Sequence, residues 1–313
     1  MEKIYVLGNL NVDIIMGYFE KWPSIGSEVT GNFFDFRYAG AAGNSALALK
    51  RLGFDVYVIS SVGSDEFGER FFLNFRKEGI NLSKCEKSKK RTGMSVGISF
   101  ENKERTFFTF LGALEDMNET FINKEVKEIE NSWIVICGFN LIPFFQDKRF
   151  LETVKMMKEH KNKILFDPGW PPEGWNDGKR QQAVQLAALS DWFVPNLSEA
   201  QAISQKSSLK ESIEYFKKQG IQNCVIKLGK NGSQGFTLDR HTLSAVFQVG
   251  EIKDTVGAGD LFNAALIKGI TLGWDDKMAI KFATFYASLC ITKMGKERYL
   301  SFEEAYASFL KEV

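Results

Sequence analysis

At 313 residues, 44% of them hydrophobic and 25% charged, the chain has an ordinary globular composition and is long enough for one large core. A formal net charge of +1 gives no electrostatic reason to expect nucleic acid or an acidic membrane as a partner. Four scattered cysteines and two histidines make neither a disulfide framework nor a zinc-ligand spacing. No apolar run reaches the roughly 20 residues of a membrane span.

Taken in chain order, the sequence alternates short apolar runs with amphipathic stretches. Ile4 to Leu7 predicts a buried strand so close to the start that no room is left for a signal peptide, and the expected location is the cytoplasm. Ile14 to Tyr38 carries alternating and aromatic residues around Pro23 and Gly26, with no helical period. A helix is expected from Asn44 to Leu52, stopped by Gly53, then a strand from Val56 to Ser60 and a helix capped by Ser64 and ended by Gly79. The basic run Lys84 to Arg91 reads as a solvated loop. Ser95 to Phe100 and Arg105 to Phe110 read as two strands joined by the turn Glu101 to Glu104.

Further strand–helix units follow: Trp133 to Ile136 with Lys148 to Glu159, and Ile164 to Phe166 with Gln181 to Leu189. Next come Trp192 to Val194 with Ser198 to Ile203, and the strand Cys224 to Lys227; after Asp260 the pattern is helical. This alternation predicts an α/β fold with a mostly parallel sheet and one domain over 1–313. The segments at about 12–38 and 93–111 are expected to form a small antiparallel sheet beside it, a lid whose apolar face needs cover.

The most informative segment is Asp254-Thr-Val-Gly-Ala-Gly-Asp260, which runs into the apolar stretch from Leu261. Gly257, Ala258 and Gly259 leave backbone N–H groups free to converge on an anion at the start of a helix. A carboxylate at Asp260 repels a phosphate that is merely bound. It makes sense as the base that takes a proton from a hydroxyl attacking phosphorus. The plainer reading, an aspartate capping a helix after a glycine-rich turn, stands equal on this segment alone. No G-x-x-x-x-G-K-[ST] loop occurs in the chain.

With its neighbour Phe262, this segment resembles the carboxy-terminal signature of the ribokinase/PfkB family of carbohydrate kinases, and further motifs follow that family's order. Gly8-Asn-Leu-Asn-Val-Asp13 resembles its first strand and sugar-binding aspartate. Ala39-Gly-Ala-Ala-Gly-Asn44 is similar to its glycine-rich signature. Asn196-Leu-Ser-Glu199 and Lys227-Leu-Gly-Lys-Asn-Gly232 match its N-x-x-E and K-x-G-x-x-G motifs. The resemblance covers the whole chain. It implies a ribokinase-like three-layer sandwich with a β lid, acting as a cytoplasmic carbohydrate kinase on ATP with Mg²⁺.

By that resemblance Asp260 is the base and Gly257, Ala258 and Gly259 the anion hole. Asn11, Asp13, Gly40, Ala41 and Asn44 lie along the acceptor, with Asn44 also placed to cap its helix. Asn196, Lys227, Gly229, Gly232 and Ala287 flank the nucleotide, and Glu199 holds Mg²⁺ through water. Asn196 and Glu199 also have the spacing of a helix capping box. Asp254 and the carbonyl of Val256 are the groups that bind K⁺ in many family members. Phe107, with Phe108 and Phe110, covers a sugar ring, stacks on a base or packs against a second subunit. Arg105 either touches the acceptor or balances Glu104.

Departures from the family pattern narrow the acceptor. Ala41 stands where ribokinase-type and phosphosugar-using members carry lysine. Cys137-Gly-Phe-Asn140-Leu-Ile-Pro143 replaces the segment that holds an existing phosphate, and the acidic residue that ribokinases place there is missing. The expected acceptor is an unphosphorylated sugar or sugar acid, of the fructokinase or 2-keto-3-deoxygluconate-kinase type. A nucleoside kinase, and more remotely a non-catalytic sugar-sensing protein, are the alternatives. No nucleic-acid or membrane partner is expected, and the family suggests a homodimer through the lid.

Overall fold

The structure is a computed structural model that describes residues 2–102, 105–238, 241–244, 247 and 250–312. Its strands are β1 (Lys3–Leu7), β2 (Asn11–Phe19), β3 (Phe33–Ala39), β4 (Asp55–Gly63), β5 (Cys85–Ser88), β6 (Met94–Phe100) and β7 (Arg105–Phe110). They continue with β8 (Trp133–Ile136), β9 (Lys163–Phe166), β10 (Trp192–Phe193), β11 (Cys224–Lys227), β12 (Ser233–Phe236) and β13 (His241–Ser244).

Among the described residues nine strands form the main sheet, in the order β13-β12-β11-β10-β9-β8-β1-β4-β5. Neighbours from β11 to β5 run parallel, and β12 and β13 close one edge antiparallel. Parallel strands buried on both faces need continuous apolar runs, and Trp133-Ile-Val-Ile136 supplies one with all four residues buried. Alternate side chains feed two cores. Val6, Val58 and Val135 pack beneath the helices Gly40–Arg51, Ala258–Thr271 and Asp276–Cys290. Leu7, Ile136 and Phe166 pack beneath Phe150–Glu159, Asp177–Leu189 and Leu197–Ser204 on the other side. The result is three layers.

A second sheet, β3-β2-β6-β7, grows out of the first. Only Gly8, Asn9 and Leu10 separate β1 from β2. Within this lid β2 pairs antiparallel with β3 but parallel with β6, so it is mixed rather than purely antiparallel. The register puts Asp13, Arg37, Ser95 and Thr109 on one face, with Gly97, Phe107, Ser99 and Arg105 further along it. Phe34, Phe36, Phe108 and Phe110 lie on the opposite face. The Glu101–Glu104 turn is described only as far as Asn102; Lys103 and Glu104 lie outside the described residues.

Three local expectations are corrected. The helix after Gly63 is capped by Asp65, whose carboxylate accepts the Gly68 N–H at 2.9 Å, while Ser64 donates its own N–H to Ser88 O at 2.8 Å. The helix expected from Asn44 begins at Gly40, because Gly40 at φ +77° turns the chain off β3 and Ala42 N–H donates to Asn9 O at 3.2 Å. Asn44 therefore lies inside that helix and caps nothing. The basic run at Lys84 is no free loop either: it contains edge strand β5, and Lys84, Lys87 and Lys90 each pair with acidic side chains. Among the described residues no helix is long and apolar enough to cross a membrane.

Candidate active site

β1 and β9 run parallel with β8 between them and end at the same edge of the main sheet, and the helix Ala258–Thr271 points its N-terminus there. Gly257 precedes that helix at φ +74°, in a conformation that costs glycine nothing. A Cβ there would lie 2.8 Å from Asn44 Nδ2, and one at Gly259 would lie 3.0 Å from Lys227 Nζ. The glycines thus let two polar side chains reach the first turn. Ala258 N–H turns back to Thr255 O at 3.2 Å. The amides of Gly257, Gly259 and Asp260 are left as the donors at the positive end of the helix.

Asp260 caps nothing. Its carboxylate accepts from Asn44 Nδ2 at 3.2 Å and Ser45 Oγ at 3.3 Å, and Tyr299 Oη in turn donates to Asn44 Oδ1 at 2.9 Å. Burial pushes its pKa up to about 8, the neighbouring Asp167 adds to the rise, and Lys227 opposes it. A carboxyl that titrates near neutrality and is held by two donors is suited to take up a proton.

Asp167 follows β9 and was not singled out from sequence. Its Oδ2 accepts from Lys227 Nζ at 2.7 Å and from Asn263 Nδ2 at 2.6 Å. Lys227 therefore points at the first turn of the helix Ala258–Thr271 rather than serving only as the start of a glycine hairpin. Glu199 closes the group. Its carboxylate accepts Asn196 N–H at 2.8 Å while Asn196 Oδ1 accepts Glu199 N–H at 2.9 Å, the reciprocal capping box. Burial, with Asp167 next, raises the Glu199 pKa to about 7. The carboxylates of Asp167 and Glu199, with Lys227 as their shared cation, are a hard-oxygen set that fits Mg²⁺, whose remaining positions phosphates and water fill. Among the described residues no three acidic, cysteine or histidine side chains form a complete metal cage.

On the lid side, Asp13 is buried and its pKa is raised to about 7 by that burial, against an N–H from Gly40 and the charge of Arg37. A side-chain relay orients it: Asn9 donates to Asn11 Oδ1, and Asn11 Nδ2 donates to Asp13 Oδ1 at 2.5 Å and to Ser95 Oγ at 3.2 Å. Asn11 is thus spent on positioning Asp13. Gly40 is spent on backbone contact, since a Cβ there would meet Asn9 O at 2.4 Å. Ala41 is half-buried against the core. Phe107 lies over Gly97 on the face that carries Asp13. Phe108 and Phe110 point the other way, so the three rings do not act together.

Gly229 and Gly232 both have positive φ in the turn between β11 and β12, and a hydroxyl pair at 2.8 Å, Ser233 and Thr284, ties this hairpin to the helix Asp276–Cys290. Ala287 lies one turn beyond Thr284. Residues 245–246 and 248–249 lie outside the described residues.

The Asp254–Val256 pair is already engaged. Arg298 Nη1 donates to Asp254 Oδ2 at 2.5 Å and its Nη2 donates to Val256 O. Arg37 Nη2 also lies 2.6 Å from Asp254 Oδ2. Arg105 reaches down from β7, with Nη1 donating to Thr255 Oγ1 at 3.2 Å and Nε to Ser99 Oγ at 3.2 Å. Glu104, its other suggested partner, lies outside the described residues.

Comparison with known proteins fits this geometry. Residues 1–301 match the family described as pfkB family carbohydrate kinase. A 2-dehydro-3-deoxygluconokinase of Bacillus subtilis is 28% identical over 281 residues, covering 87% of this chain and 86% of that protein. A ribokinase of the same organism is 25% identical over 297 residues, covering 95% of each. The crystal structure of a putative ribokinase II from E. coli in complex with ATP and Mg²⁺ superposes with a TM-score of 0.81 at 20% identity, over 100% of both chains.

Proposed function

The chain belongs to the pfkB family of carbohydrate kinases, and from that premise we propose that it transfers the γ-phosphoryl of Mg·ATP to a hydroxymethyl group of an unphosphorylated sugar acid. The observation that carries the phosphotransferase reading is the buried Asp260 carboxyl, held by Asn44 and Ser45 at the N-terminus of the helix Ala258–Thr271. Asp13 on the lid accepts acceptor hydroxyls, and Asp260 takes the proton of the attacking one. The amides of Gly257 and Gly259 with Lys227 receive the charge that develops on the transferring group. Asn196, Gly229, Gly232 and Ala287 border the nucleotide. Mg²⁺ supplies charge neutralisation between the phosphates, and Asp167 and Glu199 are the side chains that would hold it, Glu199 through water. Closure of the lid over the acceptor would keep water from the phosphoryl.

An acid rather than a neutral sugar is favoured by Arg37 and Arg105, two guanidiniums on the acceptor face of the lid. Arg37 Nη1 is buried with no hydrogen-bond partner, and burial lowers the Arg105 pKa. Arg37 is already shared by Asp35 and Asp254, so Arg105 is the guanidinium with more to offer an anionic guest. Phe107 on the same face supports the second reading, a nucleoside acceptor stacked on its ring. A turnover panel of 2-dehydro-3-deoxygluconate, 5-dehydro-2-deoxygluconate, fructose, ribose and inosine tests both; the sugar acids are expected to lead. Preference for fructose or ribose would remove the acid assignment, and preference for inosine would replace it with a nucleoside kinase.

The exposed Phe34, Phe108 and Phe110 suit a homodimer packed lid against lid. Four free cysteines suit a reducing compartment, and the cytoplasm is the proposed location.

A further inference from the structure

We propose that Arg298 is a tethered cation that makes this enzyme independent of K⁺. The resemblance offers K⁺ two groups, the Asp254 carboxylate and the Val256 carbonyl, and the residues present do not fit the ion. One guanidinium bridges both groups, Nη1 to Asp254 Oδ2 at 2.5 Å and Nη2 to Val256 O. Asp254 has little left to offer: Oδ2 also meets Arg37, and Oδ1 accepts the Val256 N–H at 2.9 Å. Arg298 is 2% exposed and Asp254 4%, so neither has an easy alternative in solvent. An ion entering here would have to displace a fixed charge of its own sign.

The arrangement does for the anion hole what a bound cation would do. The carbonyl of Val256 and the N–H of Gly257 belong to one planar peptide unit. Positive charge placed on the oxygen polarises that unit and strengthens the N–H on its far side, which is a donor of the anion hole. Arg298 reaches this peptide from the short turn Gly295–Arg298, after the helix Asp276–Cys290. Its neighbour Tyr299 orients Asn44 against Asp260. One turn of chain therefore braces both the anion hole and the carboxylate beside it.

The inference rests on the phosphoryl-transfer reading, and the test is chosen so that the two can fail separately. Melting of the wild-type protein and of Arg298→Met is followed in KCl and in choline chloride at equal ionic strength, with and without Mg²⁺ and a non-hydrolysable ATP analogue. Wild type is expected to melt identically in the two salts and to bind the analogue with the same affinity. Arg298→Met is expected to lose about tenfold or more in analogue affinity in choline, the scale of a lost hydrogen bond to a charged group, and to regain part of it in K⁺. Stabilisation of wild type by K⁺, or a Rb⁺ anomalous peak between Asp254 and Val256 in its crystals, would overturn the proposal. Wild-type behaviour of Arg298→Met in both salts would do the same. Should that variant not fold, the wild-type arms decide alone. Absence of analogue binding in any salt would instead count against the kinase reading, while the salt dependence of melting still reads the cation site.

Discussion

Tyr299 Oη donates to Asn44 Oδ1 across 2.9 Å, joining two residues 255 positions apart and fixing which end of the Asn44 amide faces Asp260. Because the hydroxyl takes the oxygen, the NH₂ end is turned to the carboxylate at 3.2 Å. The amide flip is thereby set by a phenol outside the site. Removing that phenol frees the flip. Tyr299→Phe is expected to lower kcat about fivefold, equivalent to about 1 kcal/mol for one neutral hydrogen bond, with little change in nucleotide affinity. An equal loss in nucleotide affinity would point to general damage instead.

Asp260→Asn removes the proton acceptor while keeping the shape of the side chain. A fall in kcat of about 10²- to 10⁴-fold is expected, with Mg·ATP still bound, as titration of the nucleotide in the absence of acceptor will read. Near-normal turnover would take the base role away from Asp260.

The raised pKa of Asp260 has opposite consequences for rate and stability. As a base it works when ionised, so kcat/KM for the acceptor should climb with pH through about 8. As a buried carboxyl whose pKa lies above its unfolded value near 4, it contributes stability that is complete below that value. This contribution is lost as pH rises through about 8. Asp260→Asn should therefore gain melting temperature relative to wild type at about pH 8.5 and not at about pH 4. A difference independent of pH would refute this linkage.

Gly257→Ala places a side chain at φ +74° with its Cβ 2.8 Å from Asn44 Nδ2. A loss of about 1–3 kcal/mol of stability is expected, with a drop in kcat because Asn44 must move. Chemical denaturation and steady-state kinetics on the same preparation measure both. Undiminished activity would show that Asn44 can yield.

Phe34 and Phe108 are 65% and 53% exposed on the lid face turned away from Asp13. Phe34→Glu with Phe108→Glu should yield a monomer by light scattering if that face joins two copies. A wild-type protein that is already monomeric would remove the dimer from the proposal.

Much of this was legible in the sequence because it is local. Apolar runs such as Trp133 to Ile136 declare buried parallel strands; Asp13 comes a few residues after the first apolar run and Asp260 directly after a glycine turn, both of which advertise a ligand. Asp167 carries the same signal as Asp13, a carboxylate near an apolar strand, and was there to be found. Arg298 and Tyr299 were not. Their partners Asp254 and Asn44 lie 44 and 255 residues away, and nothing periodic marks the turn they occupy. β5 escaped notice because Glu86 and Lys87 give an edge strand the look of a solvated loop. The three lid phenylalanines were grouped by adjacency, whereas a strand sends neighbours to opposite faces.

That alternation has a consequence for how the lid can change over time. Up to the bulge between Met16 and Phe19 of β2, the lid residues on the Asp13 face carry odd numbers: 11, 13 and 15 in β2, 35 and 37 in β3, 95, 97 and 99 in β6, and 105, 107 and 109 in β7. The even-numbered residues make the other face. Substitutions at odd positions can retune which acceptor is held without touching the outer surface, and even positions can drift without touching the acceptor. A single inserted or deleted residue exchanges the two sets beyond it unless a bulge absorbs it, as β2 does between Met16 and Phe19. The lid is therefore free to vary in composition, and open to a change in length only where a bulge can absorb it.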